Sequence, residues 1–233
     1  VITLLGPGGM GKSRLAVHYG SLHRTDYEGG VWFCDLSEAV DLKDVLLTVS
    51  TVLSVPMARV HSSEEMQEQL GYAIAGRGSI LLVLDNFEHV VDAAQQAIGH
   101  WMLKAPSAHF MITSRNRLGV KGERVYHLSP LNEDHSVSLF TSCALSHDQA
   151  TPLPQTDIPL VKEIVNQLEG IPLGIELVAG QLKNFELEEL LENLQSKMDV
   201  LPKSENQDEE KQTTLRATID WSWGLLEPWE QVA

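Results

Sequence analysis

Short apolar runs recur along the first 130 residues, and most are followed by stretches in which apolar residues return every three or four positions. Continuous runs such as residues 80–84 are typical of parallel strands buried on both faces, and the periodic stretches are typical of amphipathic helices. Their alternation predicts an α/β fold, with a parallel sheet and flanking helices. The predicted strands are residues 1–5, 29–36, 80–84, 109–112 and 124–128.

Strand patterns stop near residue 130, and helical patterns follow one another from there. Asn132 precedes the apolar positions Val137, Phe140 and Ala144, which are spaced as on one face of a helix. Similar faces recur until a polar, acidic stretch begins after residue 202. We therefore predict three parts: an α/β domain over 1–130, an all-helical subdomain over 131–202, and a third part over 203–233 with an acidic loop and a further helical start.

A glycine-rich segment lies between the first strand and the first predicted helix. Residues 6–13 read Gly-Pro-Gly-Gly-Met-Gly-Lys-Ser and match G-x-x-x-x-G-K-[ST] at every fixed position. Glycines let backbone N–H groups approach a polyphosphate, and the helix N-terminus adds its positive dipole end. Lys12 would reach the β- and γ-phosphates, and Ser13 would offer a hydroxyl to Mg²⁺. The expected nucleotide-binding residues here are Gly6, Pro7, Gly8, Gly9, Met10, Gly11, Lys12, Ser13 and Arg14.

The alternative to a phosphate loop is a chance glycine-rich turn. The setting of the segment argues against it, because a strand precedes it and a helix with Leu15, Ala16, Tyr19 and Leu22 on one face follows it. A third interpretation, a loop that binds nucleotide but barely hydrolyses it, stays open.

Asp85 directly follows the apolar run 80–84, at the strand end where open α/β sheets bind their ligands. This Walker B pattern predicts that Asp85 holds Mg²⁺ opposite Ser13, and the alternative is an Asp that caps the following helix. Asn86 comes next, and its amide cannot take a proton. Glu88 is therefore the nearest candidate base. A first-turn glutamate favoured by the helix dipole is the alternative role for Glu88.

Arg115 follows the strand at 109–112 through a polar Thr113 and a serine. Because parallel strands end at one edge of a sheet, we expect Arg115 near the phosphate loop, where it could sense the γ-phosphate by charge-assisted hydrogen bonds. The alternative is a surface arginine in a loop. The catalytic candidates are Lys12, Glu88 and Arg115.

Composition and charge argue against three classes of function: nucleic acid binding, membrane contact and zinc binding. The 233 residues include 43% hydrophobic ones and carry a net charge of −15. Because affinity for nucleic acid comes mainly from Lys and Arg, we expect no nucleic acid binding by this segment. No apolar run approaches the roughly 20 residues of a membrane-spanning helix, so no membrane contact is expected. The two cysteines and the scattered histidines lack zinc-site spacing.

Two further expectations concern the cell and the parent chain. Cys34 and Cys143 are expected to be ordinary buried thiols of a cytoplasmic protein. The sequence has no initiator Met and no signal peptide, since its first strand leads straight into the phosphate loop. We therefore expect it to be a segment of a longer polypeptide.

Together these motifs resemble the STAND class of signal-transduction ATPases, which includes NB-ARC or AP-ATPase domains. The sequence is most similar to bacterial members found in multidomain transcriptional and signalling regulators. The motifs occur in the family's order and span nearly the whole chain. They are Gly-Pro-Gly-Gly-Met-Gly-Lys-Ser, Leu-Val-Leu-Asp-Asn-Phe-Glu-His-Val, Ile-Thr-Ser-Arg, Gly-Ile-Pro-Leu-Gly-Ile-Glu-Leu and Thr-Leu-Arg-Ala-Thr-Ile-Asp-Trp-Ser.

The resemblance implies further roles. It places Pro172 beside the adenine base and makes the helical subdomain a lid over a P-loop NTPase domain. It implies that ADP holds a closed state, and that exchange for ATP permits opening and nucleotide-dependent self-association. It also makes residues 203–233 the lead into a truncated winged-helix-like region. Asn86 departs from the acidic residue usual at its position in many relatives.

The leading hypothesis is an ATP/ADP-binding regulatory switch that hydrolyses ATP slowly with Mg²⁺ and works with other domains of the same polypeptide. The alternative is a scaffold for protein contacts that keeps a bound nucleotide without hydrolysing it. A GTPase is disfavoured because no Asn-Lys-x-Asp motif occurs. A small-molecule kinase is disfavoured because the helical part shows no evident acceptor site.

Overall fold

The computed structural model of the protein describes residues 1–57, 62–146, 153–198, 216 and 218–220. The chain forms two compact units. The first contains Val1–Gly6 and Lys12–Leu128, and the second contains Pro7–Gly11 with the described part of Ser129–Ala233.

The first unit is built on a five-stranded parallel sheet with the strand order β2-β3-β4-β1-β5. Its central strands are continuous apolar runs, which is why they can be covered on both faces. Leu81–Asp85 is buried at every position. The predicted α/β class is thereby confirmed. The strands are β1 Ile2–Leu5, β2 Val31–Asp35, β3 Leu81–Asp85, β4 His109–Ser114 and β5 Arg124–His127.

Four helices accompany this sheet, and their starts follow local capping chemistry. The Asp41 side chain accepts a hydrogen bond from the Asp44 N–H at 2.9 Å, and the Ser62 hydroxyl accepts one from the Glu65 N–H at 3.2 Å. The helices are α1 Lys12–Leu22, α2 Leu42–Val52, α3 Ser63–Ala75 and α4 Ala94–Lys104.

The predicted apolar face of α1 is confirmed for Ala16 and Tyr19, which pack in a core cluster with the sheet, and is wrong for its two leucines. Leu15 and Leu22 are 40% and 67% exposed, whereas Ala16 and Gly20 are buried. A Cβ atom on Gly20 would lie 2.8 Å from Cγ1 of Val31, so this side of the helix packs against β2 at close range. Close packing selects the smallest side chains and leaves the leucines outside.

The segment between β3 and α4 is not a regular helix. Two 3-10 turns, Phe87–His89 and Val91–Ala93, lie between Asn86 and α4. Asn86 has a left-handed backbone conformation with φ of 62°. A residue in that region cannot continue a right-handed helix, so the chain leaves β3 through a bend rather than through a regular first turn.

From Ser129 onward, the regular elements of the described part of the second unit are all helices, as the pattern predicted. Asn132 caps its first helix, since its Oδ1 accepts a hydrogen bond from the His135 N–H at 2.9 Å. Phe140 and leucine and valine side chains from the other helices form its core. The helices are α5 Glu133–Ser146, α6 Ile158–Gln167, α7 Pro172–Ala179 and α8 Leu187–Met198.

Most of the predicted third part, residues 203–233, lies outside the described residues, and its boundary stays a prediction. The exceptions are Arg216 and residues 218–220, which are helical. Within the described chain, no helix combines the length and apolar character needed to cross a membrane.

Candidate nucleotide-binding site

The phosphate loop joins the end of β1 to the start of α1. Gly9 and Gly11 adopt positive φ angles of 74° and 82°, a region in which a side chain is strained. A Cβ atom on Gly11 would meet nothing within 4 Å, so its backbone angle, not crowding, requires glycine there. The loop thus has the left-handed glycine conformations that allow backbone N–H groups to converge on an anion.

Lys12 is the first residue of α1 and only 8% of it is exposed. Its ammonium donates a hydrogen bond to the carbonyl oxygen of Gly6 at 2.8 Å. Burial lowers the pKa of Lys12; the negative charge of Glu88 opposes this shift, the positive charge of Arg115 adds to it, and Asp85 opposes it. A largely buried ammonium at the end of a glycine loop has the chemistry of a phosphate ligand.

Asp85 is the last residue of β3 and is 4% exposed. The Thr113 hydroxyl donates to its Oδ1 at 2.5 Å, and the Asn86 side-chain amide donates to its Oδ2 at 3.3 Å. A carboxylate accepts about four hydrogen bonds or metal contacts, so capacity remains on both oxygens.

These oxygen donors fit a magnesium ion. Mg²⁺ is usually held by one or two protein oxygens together with phosphates and waters. Asp85 offers a carboxylate and the half-buried Ser13 offers a hydroxyl. The described residues contain no cluster of three or more His, Cys, Asp or Glu that would form an all-protein metal cage. The residues present therefore suit a metal that arrives with a nucleotide.

Asn86 has a role that its sequence position did not reveal. Its side-chain nitrogen lies 3.1 Å from Oδ1 of Asp35 and 3.3 Å from Oδ2 of Asp85, so one amide donates to two carboxylates. A hydrogen bond from the Ser37 N–H, and then the Asn86 amide, lower the pKa of Asp35. An acidic residue at position 86 could not donate in this way. The motif gave no signal of this contact because Asp35 is 51 residues away in sequence.

Glu88 and Arg115 meet as an ion pair, with Arg115 Nε 3.2 Å from Glu88 Oε1. The Glu88 side chain is 11% exposed and that of Arg115 is 53% exposed. Oε2 of Glu88 is buried and has no hydrogen-bond partner among the described residues. The first unit therefore brings two of the three catalytic candidates into direct contact, and the charge of each acts on Lys12.

Three further predicted binding residues differ in exposure and position. Met10 is buried and Arg14 is exposed. Pro172 is the first residue of α7 in the second unit. The N–H of the next residue, Leu173, donates to the carbonyl oxygen of Gly9 at 3.1 Å, and both of these residues belong to the second unit. The Gly-Ile-Pro-Leu-Gly segment is thus bonded to the phosphate loop itself.

Comparison with protein families agrees with this site. Residues 1–112 match the family model AAA_22, which is described as an AAA domain. This part of the chain is therefore similar to AAA domains, and its fold is that of a P-loop NTPase domain. Such a domain implies nucleotide binding, usually with Mg²⁺.

Similar curated proteins come from mycobacteria and a plant. An uncharacterized protein of Mycobacterium tuberculosis is 29% identical over 227 residues, which are 97% of this chain and 57% of that protein. A predicted HTH-type transcriptional regulator of the same species is 29% identical over 233 residues, 100% of this chain and 26% of that protein. The Arabidopsis thaliana disease resistance protein ADR1 is 27% identical over 90 residues, 39% of this chain and 11% of that protein. The chain spans only part of each relative.

Solved structures share the fold at low sequence identity. Drosophila ORC bound to DNA has a TM-score of 0.60 and 16% identity, covering 85% of this chain and 60% of that one. Cdc6p from Pyrobaculum aerophilum has a TM-score of 0.60 and 18% identity, covering 82% and 56%. A STAND protein with a tetratricopeptide repeat sensor from Pyrococcus horikoshii has a TM-score of 0.51 and 15% identity, covering 87% and 30%.

These findings confirm the resemblance predicted from the motifs. The AAA-type P-loop domain, the fold shared with a STAND protein, and the similarity to a predicted HTH-type regulator and to a disease resistance protein all agree with it. They leave the roles of individual site residues as predictions.

Proposed function

We propose that this chain is an ATP/ADP-binding regulatory switch domain that hydrolyses ATP slowly with Mg²⁺, within a larger signalling or transcriptional regulator. The observation that carries this proposal is the grouping of four charged side chains in the first unit. Burial lowers the pKa of Lys12, the charges of Glu88, Arg115 and Asp85 also act on it, and Glu88 and Arg115 form an ion pair. Convergent charges with a perturbed pKa mark functional sites more often than structural ones.

Each residue has a proposed task in phosphoryl transfer, which depends mostly on positioning and electrostatics. Lys12 would bind the β- and γ-phosphates, and Ser13 and Asp85 would hold Mg²⁺, which neutralises phosphate charge. Glu88 would accept a proton from the attacking water through its buried, unpartnered Oε2. Arg115, half exposed, would offset charge that develops on the γ-phosphate.

Pro172 of the second unit has a proposed role at the adenine base. We propose that Pro172 packs beside the base and that the helical subdomain acts as a lid, as in the family that the motifs resemble. The hydrogen bond between the Leu173 N–H and the Gly9 carbonyl oxygen supports this, because it ties the segment that contains Pro172 to the phosphate loop.

A nucleotide-bound scaffold without hydrolysis is the second candidate. Asn86 favours it, since its amide is engaged with Asp35 and Asp85 and cannot act as a base. The pairing of Glu88 with Arg115 favours it too, because the ion pair engages one oxygen of the candidate base. The two candidates differ in turnover, not in nucleotide affinity.

The proposal extends to partners and location. With a net charge of −15, this segment would leave DNA contacts to other parts of the protein. Neither Cys34 nor Cys143 forms a disulfide, which fits a reducing, cytoplasmic compartment. We further propose that ATP promotes self-association. Sedimentation velocity with ADP and then with ATP tests the self-association. A DNA mobility-shift assay tests the expected lack of DNA binding by this segment.

The first experiment identifies the nucleotide that co-purifies with the chain. The protein is denatured and its supernatant is separated by ion-exchange chromatography, and affinities for ADP and ATP with Mg²⁺ are then measured by calorimetry. Lys12→Ala is compared with Lys121→Ala, which removes an exposed lysine of the same unit.

We expect near-stoichiometric ADP, slow release of phosphate from ATP, and loss of binding in Lys12→Ala but not in Lys121→Ala. Unchanged affinity in Lys12→Ala would overturn the phosphate-loop assignment. Tight binding without any phosphate release would select the scaffold instead of the switch.

A further inference from the structure

Thr113 is a buried residue of β4 whose hydroxyl lies between two groups of the site. It is fully buried, with 0% exposure. Its oxygen accepts the Asn86 backbone N–H at 3.0 Å, and its proton is donated to Oδ1 of Asp85 at 2.5 Å. The hydroxyl therefore links the end of β3 to the residue that turns the chain away from it.

Donor and acceptor chemistry fixes the direction of this link. A backbone N–H can only donate, and an ionised carboxylate can only accept. Because the Thr113 oxygen receives the Asn86 N–H, its single proton is left for Asp85. Only one arrangement satisfies all three groups, so the hydroxyl is held in one orientation.

Asp85 needs such support if it is to hold a metal. The terminal torsion of an aspartate side chain has broad, roughly two-fold preferences, so the carboxylate plane is not fixed by the residue itself. Thr113 holds Oδ1 and the Asn86 amide holds Oδ2. Partners of this kind around metal ligands set the orientation of the ligand and tune its affinity for the ion.

We propose that Thr113 is a positioning residue for the magnesium ligand Asp85. The inference rests on the proposed function, since it requires that Asp85 bind Mg²⁺ together with a nucleotide. Thr113 touches neither the ion nor the nucleotide. It acts through Asp85, and its removal should weaken the metal while leaving metal-free nucleotide contacts to the phosphate loop intact.

The test measures how Mg²⁺ tightens nucleotide binding. A fluorescent ATP analogue is titrated into the full chain, first with a chelator and then over a range of Mg²⁺ concentrations. Thr113→Val removes the hydroxyl at nearly constant shape, and Thr113→Ser keeps it. The matched control is Ser114→Ala, which removes a buried hydroxyl one residue further along the same strand, where it accepts the Asn116 N–H at 3.0 Å.

We expect Thr113→Val to raise the Mg²⁺ midpoint by about 10- to 100-fold, the usual effect of losing a partner that orients a metal ligand. Affinity in the chelator should stay at the wild-type value. Thr113→Ser and Ser114→Ala should keep the wild-type midpoint.

The Mg²⁺ midpoint and the affinity in the chelator together show which results contradict the inference. A wild-type midpoint in Thr113→Val overturns the inference, and so does an equal shift in Thr113→Ser, because the hydroxyl would then not be the cause. If Thr113→Val loses nucleotide binding in the chelator, Thr113→Ala removes the hydroxyl in a second way. It is judged by the same two measurements, the Mg²⁺ midpoint and the affinity in the chelator. If the wild-type chain binds the nucleotide but Mg²⁺ does not tighten that binding, the metal site and this inference are both refuted. If the wild-type chain binds no nucleotide at all, the proposed function is refuted.

Discussion

Two glycines of one motif, Gly170 and Gly174, are predicted to respond in opposite directions to replacement by alanine. Gly170 has a φ of +66°, and a Cβ atom there would overlap the carbonyl oxygen of Leu131. Gly174 lies inside α7, and a Cβ atom there would meet Leu168 Cδ2 at an ordinary distance of 3.6 Å. Both belong to the second unit, so each is the control for the other.

The magnitude for Gly170→Ala has two contributions. A left-handed conformation costs an alanine roughly 1–2 kcal/mol. The overlap also forces apart a backbone contact, since the Leu131 N–H donates to the Gly170 carbonyl oxygen at 2.9 Å. Losing that bond at a buried residue costs about 1–3 kcal/mol, so the expected loss of unfolding free energy is about 2–5 kcal/mol.

Gly174→Ala should instead stabilise the second unit. Glycine inside a helix costs roughly 0.5–1 kcal/mol relative to alanine, because it loses more backbone freedom on folding. The space around Gly174 accepts a methyl group without any rearrangement.

The assay is urea unfolding followed by far-ultraviolet circular dichroism, with hydrogen–deuterium exchange of α6 and α7 to localise the change. The exchange measurement assigns the change to the second unit, because a chain with more than one domain often departs from a single two-state transition. A Gly170→Ala chain as stable as wild type would refute the close contact between residue 170 and Leu131. A Gly174→Ala chain that loses stability would refute the free space around residue 174.

The remaining predictions concern the first unit. Glu88→Gln should lower the rate of ATP hydrolysis by about 10²- to 10⁴-fold if Glu88 is the base; ATP affinity should hardly change, because its half-exposed ion pair with Arg115 is worth at most about 1 kcal/mol. Glu68→Gln, which removes another paired glutamate, is the control, and equal turnover in both would return Glu88 to a structural role. Burial raises the pKa of the Cys34 thiol to about 12, so this thiol should resist disulfide reagents in mildly alkaline buffer until the chain unfolds, and fast labelling would contradict its burial. Because burial lowers the pKa of Lys12 below 10.5, calorimetry should show nucleotide affinity falling as pH rises through that lowered value, earlier than for an exposed lysine.

The elements of the site could be predicted from sequence where their chemistry is local. The phosphate loop needs glycines at set positions, and Gly9 and Gly11 have the positive φ angles that such residues allow. Asp85 ends a strand that is buried throughout, because a continuous apolar run has no solvent face. The helix caps formed by Asp41 and Asn132 are also local, since their hydrogen bonds span only three residues.

Contacts between distant segments were decided by the tertiary structure alone. The sheet order places β3 beside β2 and β4, and this brings Asn86 to Asp35 and Arg115 to Glu88. No spacing in the sequence records these neighbours.

Tertiary packing also explains why the leucines of α1 are exposed where the pattern predicted an apolar face. Leucines at helical spacing suggested an apolar face, but the distance between helix and sheet decides which side chains fit, and Gly20 lies on the packed side. Sequence determined the elements, the loop and the strand ends by local backbone and hydrophobic rules. Only packing determined which side chains share the site, because strand order and interlayer distance are properties of the whole fold.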